Sequence, residues 1–205
     1  MEIQNNKEEI PFSYYADLFA KADPAEITAR TGVPCENGLF PVTLLGKTYS
    51  ITQSPPCLKG GGPQGRGDTI PIPTQTYLIR YLLEGKRVPW GGQWKTFREM
   101  PWGELYIKPY TGRVLTRAAF TFGTRLNAFR AACEKMGAAP IPSGDAGYEF
   151  TFLGDYKVRV LVWEGDDEFP PNAQILYSDN FEQGFAPEDR VVTGDILITT
   201  IRSNM

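Results

Sequence analysis

The chain has 205 residues, 41% hydrophobic and 22% charged, with a net charge of −3. That balance excludes intrinsic disorder as the main state, and the absence of long apolar runs excludes a helical membrane span. The sequence has no histidine, which removes the familiar nucleophilic triads and disfavours most zinc and haem sites.

With 21 glycines and 17 prolines the chain is rich in turns and structured loops. Its length fits one domain of large-to-typical size, or at most two small ones. Residues 1–12 read as a flexible N-terminal tail and 13–205 as a single α+β domain. Met1 to Ile10 carries Glu2, Glu8 and Glu9 without an apolar core, unlike a signal peptide. Cys35, Cys57 and Cys133 are odd in number and widely spaced, which suits reduced thiols in a cytoplasmic protein. Charge is uneven: 80–135 carries 11 Lys/Arg against 4 Asp/Glu, and 143–190 carries 3 against 11. Facing or solvated surfaces explain this, as do two faces for different partners. The acidic balance argues against nucleic acid as a partner.

Ser13 is positioned to cap a first helix carrying Tyr14, Leu18 and Phe19. Asp23-Pro24 starts a second helix and Gly32 ends it. Alternation through Phe40–Leu44 and Tyr49–Ile51 predicts a β-hairpin around Gly46-Lys47. Residues 54–73 read as one long Pro/Gly-rich loop. Thr74 caps a nearly all-apolar helix to Glu84, stopped by Gly85. Residues 86–110 are aromatic and turn-rich, Arg113 to Phe122 is helical, and Thr124 caps a helix with Leu126, Phe129, Cys133 and Met136 on one face.

The period then changes to two. Tyr148, Phe150 and Phe152 lead through Gly154-Asp155 to Val158, Val160 and Val162, and Ile175–Tyr177 makes a short further strand. Pro187 opens a last segment whose β-branched end, Ile196–Ile201, suits helix or strand. Hairpin links dominate, so the expected class is α+β, a mostly antiparallel sheet with helices packed on it.

Tyr81-Leu82-Leu83, the GGQWKTFREMP segment ending at Pro101, the WEGDDEFPP block at 163–171, Ile175-Leu176 and Pro187-Glu188-Asp189 resemble one prokaryotic family. It is the domain of unknown function 3786, found largely in anaerobic bacteria and archaea. The resemblance runs from about Asp17 to Arg202. It implies one domain and an anaerobe's cytoplasm, and no reaction. Some relatives add an iron–sulfur module, but this chain lacks the cysteine cluster, so that cofactor does not carry over.

The acidic block is the first site candidate. Glu164, Asp166, Asp167 and Glu168 follow a patterned strand, with Asp189 downstream. Clustered carboxylates can bind a hard cation or form an acid/base pair. The alternative, which the reading favours, is a charged loop with Trp163 and Phe169 as buried anchors. Lys59, Gly60, Gly62, Gly65 and Arg66 form a weaker anion-loop candidate, because Pro63 interrupts the glycines and no helix opens at once. Trp90, Trp94, Phe97, Trp102, Tyr106 and Tyr110 suit core around turns better than a stacking platform.

The leading expectation is a non-enzymatic binding or accessory protein of anaerobic metabolism, with no cofactor or metal, an unknown protein or small-molecule partner, and neither nucleic acid nor membrane. A carboxylate-dependent hydrolase or isomerase, Mg²⁺- or Ca²⁺-assisted, is the alternative. A phosphate- or nucleotide-binding protein is the third.

Overall fold

The structure is a computed structural model and describes residues 6–60 and 70–205. The chain is α+β with an antiparallel sheet. Its contacts divide it into two units, Met1–Arg87 and Val88–Met205.

In the first unit, α1 (Asn6–Lys21) begins before the expected Ser13 cap, so only residues 1–5 of the expected tail lie outside the described residues. Helix α2 (Pro24–Thr31) starts as expected. The Asp23 carboxylate accepts the Ala25 amide, and Gly32 ends the helix at φ +72°. Strands β1 (Leu39–Leu44) and β2 (Lys47–Gln53) pair antiparallel. Their turn is Leu45-Gly46, both at positive φ, which matches the twist of paired strands. Strand β3 (Pro56–Gly60) pairs with β2, correcting the long loop expected from residue 54. Its lack of alternation hid it. Helix α3 (Ile72–Glu84) opens at Pro71, not Thr74, and the Gly85 amide closes it on Tyr81.

Long-range hydrogen bonds fasten these elements. The Gln53 amide donates to Phe19 O and Ala22 O at the end of α1. Arg30 donates to Leu82 O and Gly85 O, satisfying carbonyls at the C-terminal end of α3. Arg80 lies over the Tyr15 ring and donates to its hydroxyl.

In the second unit, β6 (Ala146–Leu153), β7 (Tyr156–Trp163) and β8 (Asn172–Ser178) form antiparallel pairs. Short strands β4 (Trp94–Thr96) and β5 (Ala139–Ile141) extend them on β8 and β6. Val158, Val160 and Val162 are all fully buried, as the period-two pattern requires.

The aromatic stretch holds helix α4 (Gly103–Tyr110), which the sequence reading placed among turns. It runs on through a π-helical turn, Thr111–Thr116, into α5 (Arg117–Phe122). Helix α6 (Leu126–Lys135) follows with Leu126, Phe129 and Cys133 buried. Thr124 does not cap it, because its hydroxyl donates to Phe120 O. After a short α7 (Phe181–Gly184), the last segment is helix α8 (Pro187–Asn204), not a strand.

Helices α5 and α6 and the π turn pack on the sheet, and α8 packs on α6 and the π turn. The Phe97 and Tyr110 rings stack at 4.0 Å. Tyr110 and Tyr177 join hydroxyls at 3.0 Å, and Tyr177 donates onward to Arg190 O. Arg190 is buried, with its guanidinium donating to the carbonyls of Phe181, Glu182, Phe185 and Pro101. A buried cation is tolerated because these carbonyls replace water.

Candidate functional site

Strand β7 delivers the acidic block to the end of the sheet. The Glu164 amide donates to Asp145 Oδ2 at 2.8 Å, which ties the strand end to the turn before β6. Two residues later Asp166 turns the chain. Its Oδ1 accepts the amides of Glu168 at 2.9 Å and Phe169 at 2.7 Å, and its own amide donates to Phe169 O. Those two amides, Phe169 first, hold the Asp166 carboxyl below its ordinary range. Asp166 therefore closes its own loop. Asp167 and Glu168 are exposed on it.

The aromatic anchors expected beside the block are not buried. Trp163 is 37% exposed and Phe169 is 67% exposed. The loop is held by polar bonds from Asp145 and Asp166, so it does not need the aromatic rings inside. Asp189 is buried in the first turn of α8, while its neighbour Glu188 is exposed. Among the described residues, no group of three or more Cys, Asp or Glu is placed to hold a metal ion.

Glu164 does line a cleft. Residues 124–128 around the start of α6, with Arg130, Asp145 and Glu164, line an open cleft of about 450 Å³. Arg130 donates to Asn127 Oδ1 at 3.2 Å and to Asp145 O at 2.6 Å. Arg125 holds the N-cap position of α6 without a side-chain cap. Arg125, whose guanidinium donates to Thr121 O at 3.4 Å, and Arg130 thus line the same cleft as Asp145 and Glu164. Sequence reasoning missed Arg125, Arg130 and Asp145 as site residues. The signal was limited to the basic excess in 80–135 for the two arginines and the acidic excess in 143–190 for Asp145.

The weaker anion-loop candidate is only partly visible. Lys59 and Gly60 belong to β3. Gly62, Gly65 and Arg66 lie outside the described residues.

The aromatic stretch divides. Phe97 and Tyr110 are core, whereas Trp102 is 68% exposed. Trp90 and Trp94 meet edge to face at 5.2 Å. Lys157 lies 4.9 Å over the first ring and Arg159 4.0 Å over the second. Glu149 accepts from both cations. Burial acts to raise the Glu149 carboxyl, but the hydrogen bonds and charges of Lys157 and Arg159 outweigh it, and the net shift is downward. Asp179 accepts the Gly91 and Gln93 amides and so fixes the loop that carries Trp90.

All three cysteines are free thiols. Cys133 is fully buried, and that burial pushes its thiol far above the ordinary range.

No helix among the described residues is long and apolar enough to cross a membrane. A family model described as a domain of unknown function (DUF3786) matches residues 23–200. No curated protein and no solved structure matches the chain.

Proposed function

The chain belongs to the DUF3786 family, and we propose that it is a binding or accessory protein, acting in the cytoplasm beside the metabolic enzymes of an anaerobe. The observation that carries this reading is the state of the carboxylates. Among the described residues, Glu99, Glu149 and Asp166 are each displaced downward in proton affinity. A general acid near neutral pH needs the opposite displacement. Asp166 and Glu149 are spent on holding a loop and two cations. The cytoplasm and the anaerobe rest on the family resemblance alone.

The cleft beside Glu164 is the ligand site in this reading. Its volume is in the range of small-molecule pockets. Its charged lining suits a small polar molecule bearing both signs, with an anionic group toward Arg125 and Arg130 and a cationic group toward Glu164. A thermal-shift and ligand-detected NMR screen of small zwitterions, nucleotides and divalent cations tests it. Binding weakened by both Glu164→Gln and Arg130→Gln is expected. Hits insensitive to both variants defeat the assignment. A saturable divalent-specific shift, abolished in Asp166→Asn and Asp167→Asn, supports the carboxylate-dependent enzyme in its place.

A further inference from the structure

Resting on the cleft as the ligand site, we propose that its ligands are free α-amino acids. Asp145 is the positioning residue that sets the spacing between the two charge seats. Arg125, Arg130, Asp145 and Glu164 line one open cleft, yet among the described residues none of the four is in an ion pair. Arg130 is held instead by neutral oxygens, donating to Asn127 Oδ1 at 3.2 Å and to Asp145 O at 2.6 Å. Its charge stays available to an anion. Glu164 is fixed through its amide, which donates to Asp145 Oδ2 at 2.8 Å, and its carboxylate stays available to a cation.

Spacing selects the ligand. Both seats are tied to one residue, Arg130 through the Asp145 carbonyl and Glu164 through the Asp145 carboxylate. Asp145 is itself pinned to β7, its amide donating to Val162 O at 2.9 Å. The preceding Gly144 turns at φ +71°, and a Cβ there would stand 2.8 Å from Val162 O. The anion seat and the cation seat therefore flank a single fixed residue. A ligand that bridges them carries its opposite charges close together, as an α-amino acid does with ammonium and carboxylate on one carbon. The carboxylate takes charge-assisted hydrogen bonds from Arg130, and the ammonium donates to Glu164. A long flexible spacer has to fold back to fill both seats, which costs conformational entropy. Because the cleft is open, the amino acid's side chain extends into water.

The test is an NMR titration of the full chain with glycine, β-alanine, γ-aminobutyrate and ε-aminocaproate, beside acetate and ethylamine, which carry one charge each. Affinity is expected to fall in that order along the zwitterions. Glycine should exceed ε-aminocaproate, acetate and ethylamine by about tenfold or more, the worth of one charge-assisted hydrogen bond. In Asp145→Ala, verified as folded by circular dichroism, glycine should weaken and the preference for the short spacer should flatten toward parity. A merely structural role would lower all affinities and keep their order. The wild-type series decides without the variant. A flat or reversed order, or acetate binding as tightly as glycine, overturns the proposal. So does a folded Asp145→Ala chain that keeps the full preference for glycine. Failure of the cleft reading looks different: no zwitterion of any spacing then responds to Glu164→Gln and Arg130→Gln, and both fall together.

Discussion

Gly194 gives the sharpest test of how the second unit is packed. It is buried in the middle of α8, where glycine costs about 1 kcal/mol relative to alanine. On propensity alone, Gly194→Ala should stabilise. A Cβ there, however, would stand 2.6 Å from Val114 Cγ1 and 3.2 Å from Cγ2, with the Tyr177 hydroxyl at 3.4 Å. Val114 is fully buried in the π turn and has nowhere open to go. Overpacking of this kind costs about 1–3 kcal/mol. The expected net effect is a loss of about 1 kcal/mol, the overlap outweighing the propensity. Val114→Ala alone removes two buried methyl groups and should cost about 2 kcal/mol, transfer and cavity together. In the double variant the new methyl occupies the vacated space. Its loss should be about 1 kcal/mol against an additive expectation of about 3, a coupling of about 2 kcal/mol. Urea unfolding followed by tryptophan fluorescence, at constant m-value, reads all three. A higher midpoint for Gly194→Ala, or strict additivity in the double variant, refutes the close approach of α8 to the π turn.

Alkylation followed by mass spectrometry should modify exposed Cys57 quickly and spare Cys133 until unfolding; equal native-state rates refute the burial of Cys133. Glu149→Gln should cost about 1 kcal/mol at neutral pH. The wild-type carboxyl is depressed in the folded state, so its contribution is full above the unfolded value of about 4.3 and is lost as pH falls through the folded value. The gap between wild type and variant in thermal melts should therefore close on acidification, and a gap that widens would be inconsistent with the pairing to Lys157 and Arg159. Phe169→Ala should cost about 1 kcal/mol or less, because most of the ring is already in water, and a loss near the 3–5 kcal/mol of a buried ring, about threefold more, contradicts its exposure.

Elements that carry their own period were legible. The hairpin of β1 and β2, the valine face of β7 and the helix behind Asp23-Pro24 all announce themselves within a few residues. Strands β4 and β5 did not, because three residues are too few to show alternation and Lys95 and Pro140 interrupt it. Helix α4 was hidden differently. Its start is a tryptophan in a glycine-like conformation and its last turn contains Pro109, so both usual end signals point away from helix. The helical fate of Ile196–Ile201 depended on partners elsewhere: Leu197, Ile198 and Ile201 are fully buried, which tertiary packing rewards more than β-branching penalises. A buried Arg190 runs against composition, and only the four carbonyls around its guanidinium explain it.

The acidic block was visible as charge, but not as a set of different tasks. Neighbouring carboxylates diverge because what each does is set by the donor a few ångströms away. Asp166 finds two amides within its own loop, so its role is local and was open to anticipation as a capping acceptor. Glu164 is placed by the opposite kind of contact, its amide reaching Asp145 from 19 positions along the chain. Arg130 then bonds the carbonyl of that same Asp145, 15 positions away. Asp145 is thus the joint at which the end of β7, the turn before β6 and the first turns of α6 meet, and the cleft is the space those three leave. No local motif encodes such a joint, since removing any one of the three segments removes the site. That is also why the test by Glu164→Gln and Arg130→Gln is informative. The two residues come from different segments, their side chains do not bond each other, and a shared loss of binding would have to come from the cleft between them.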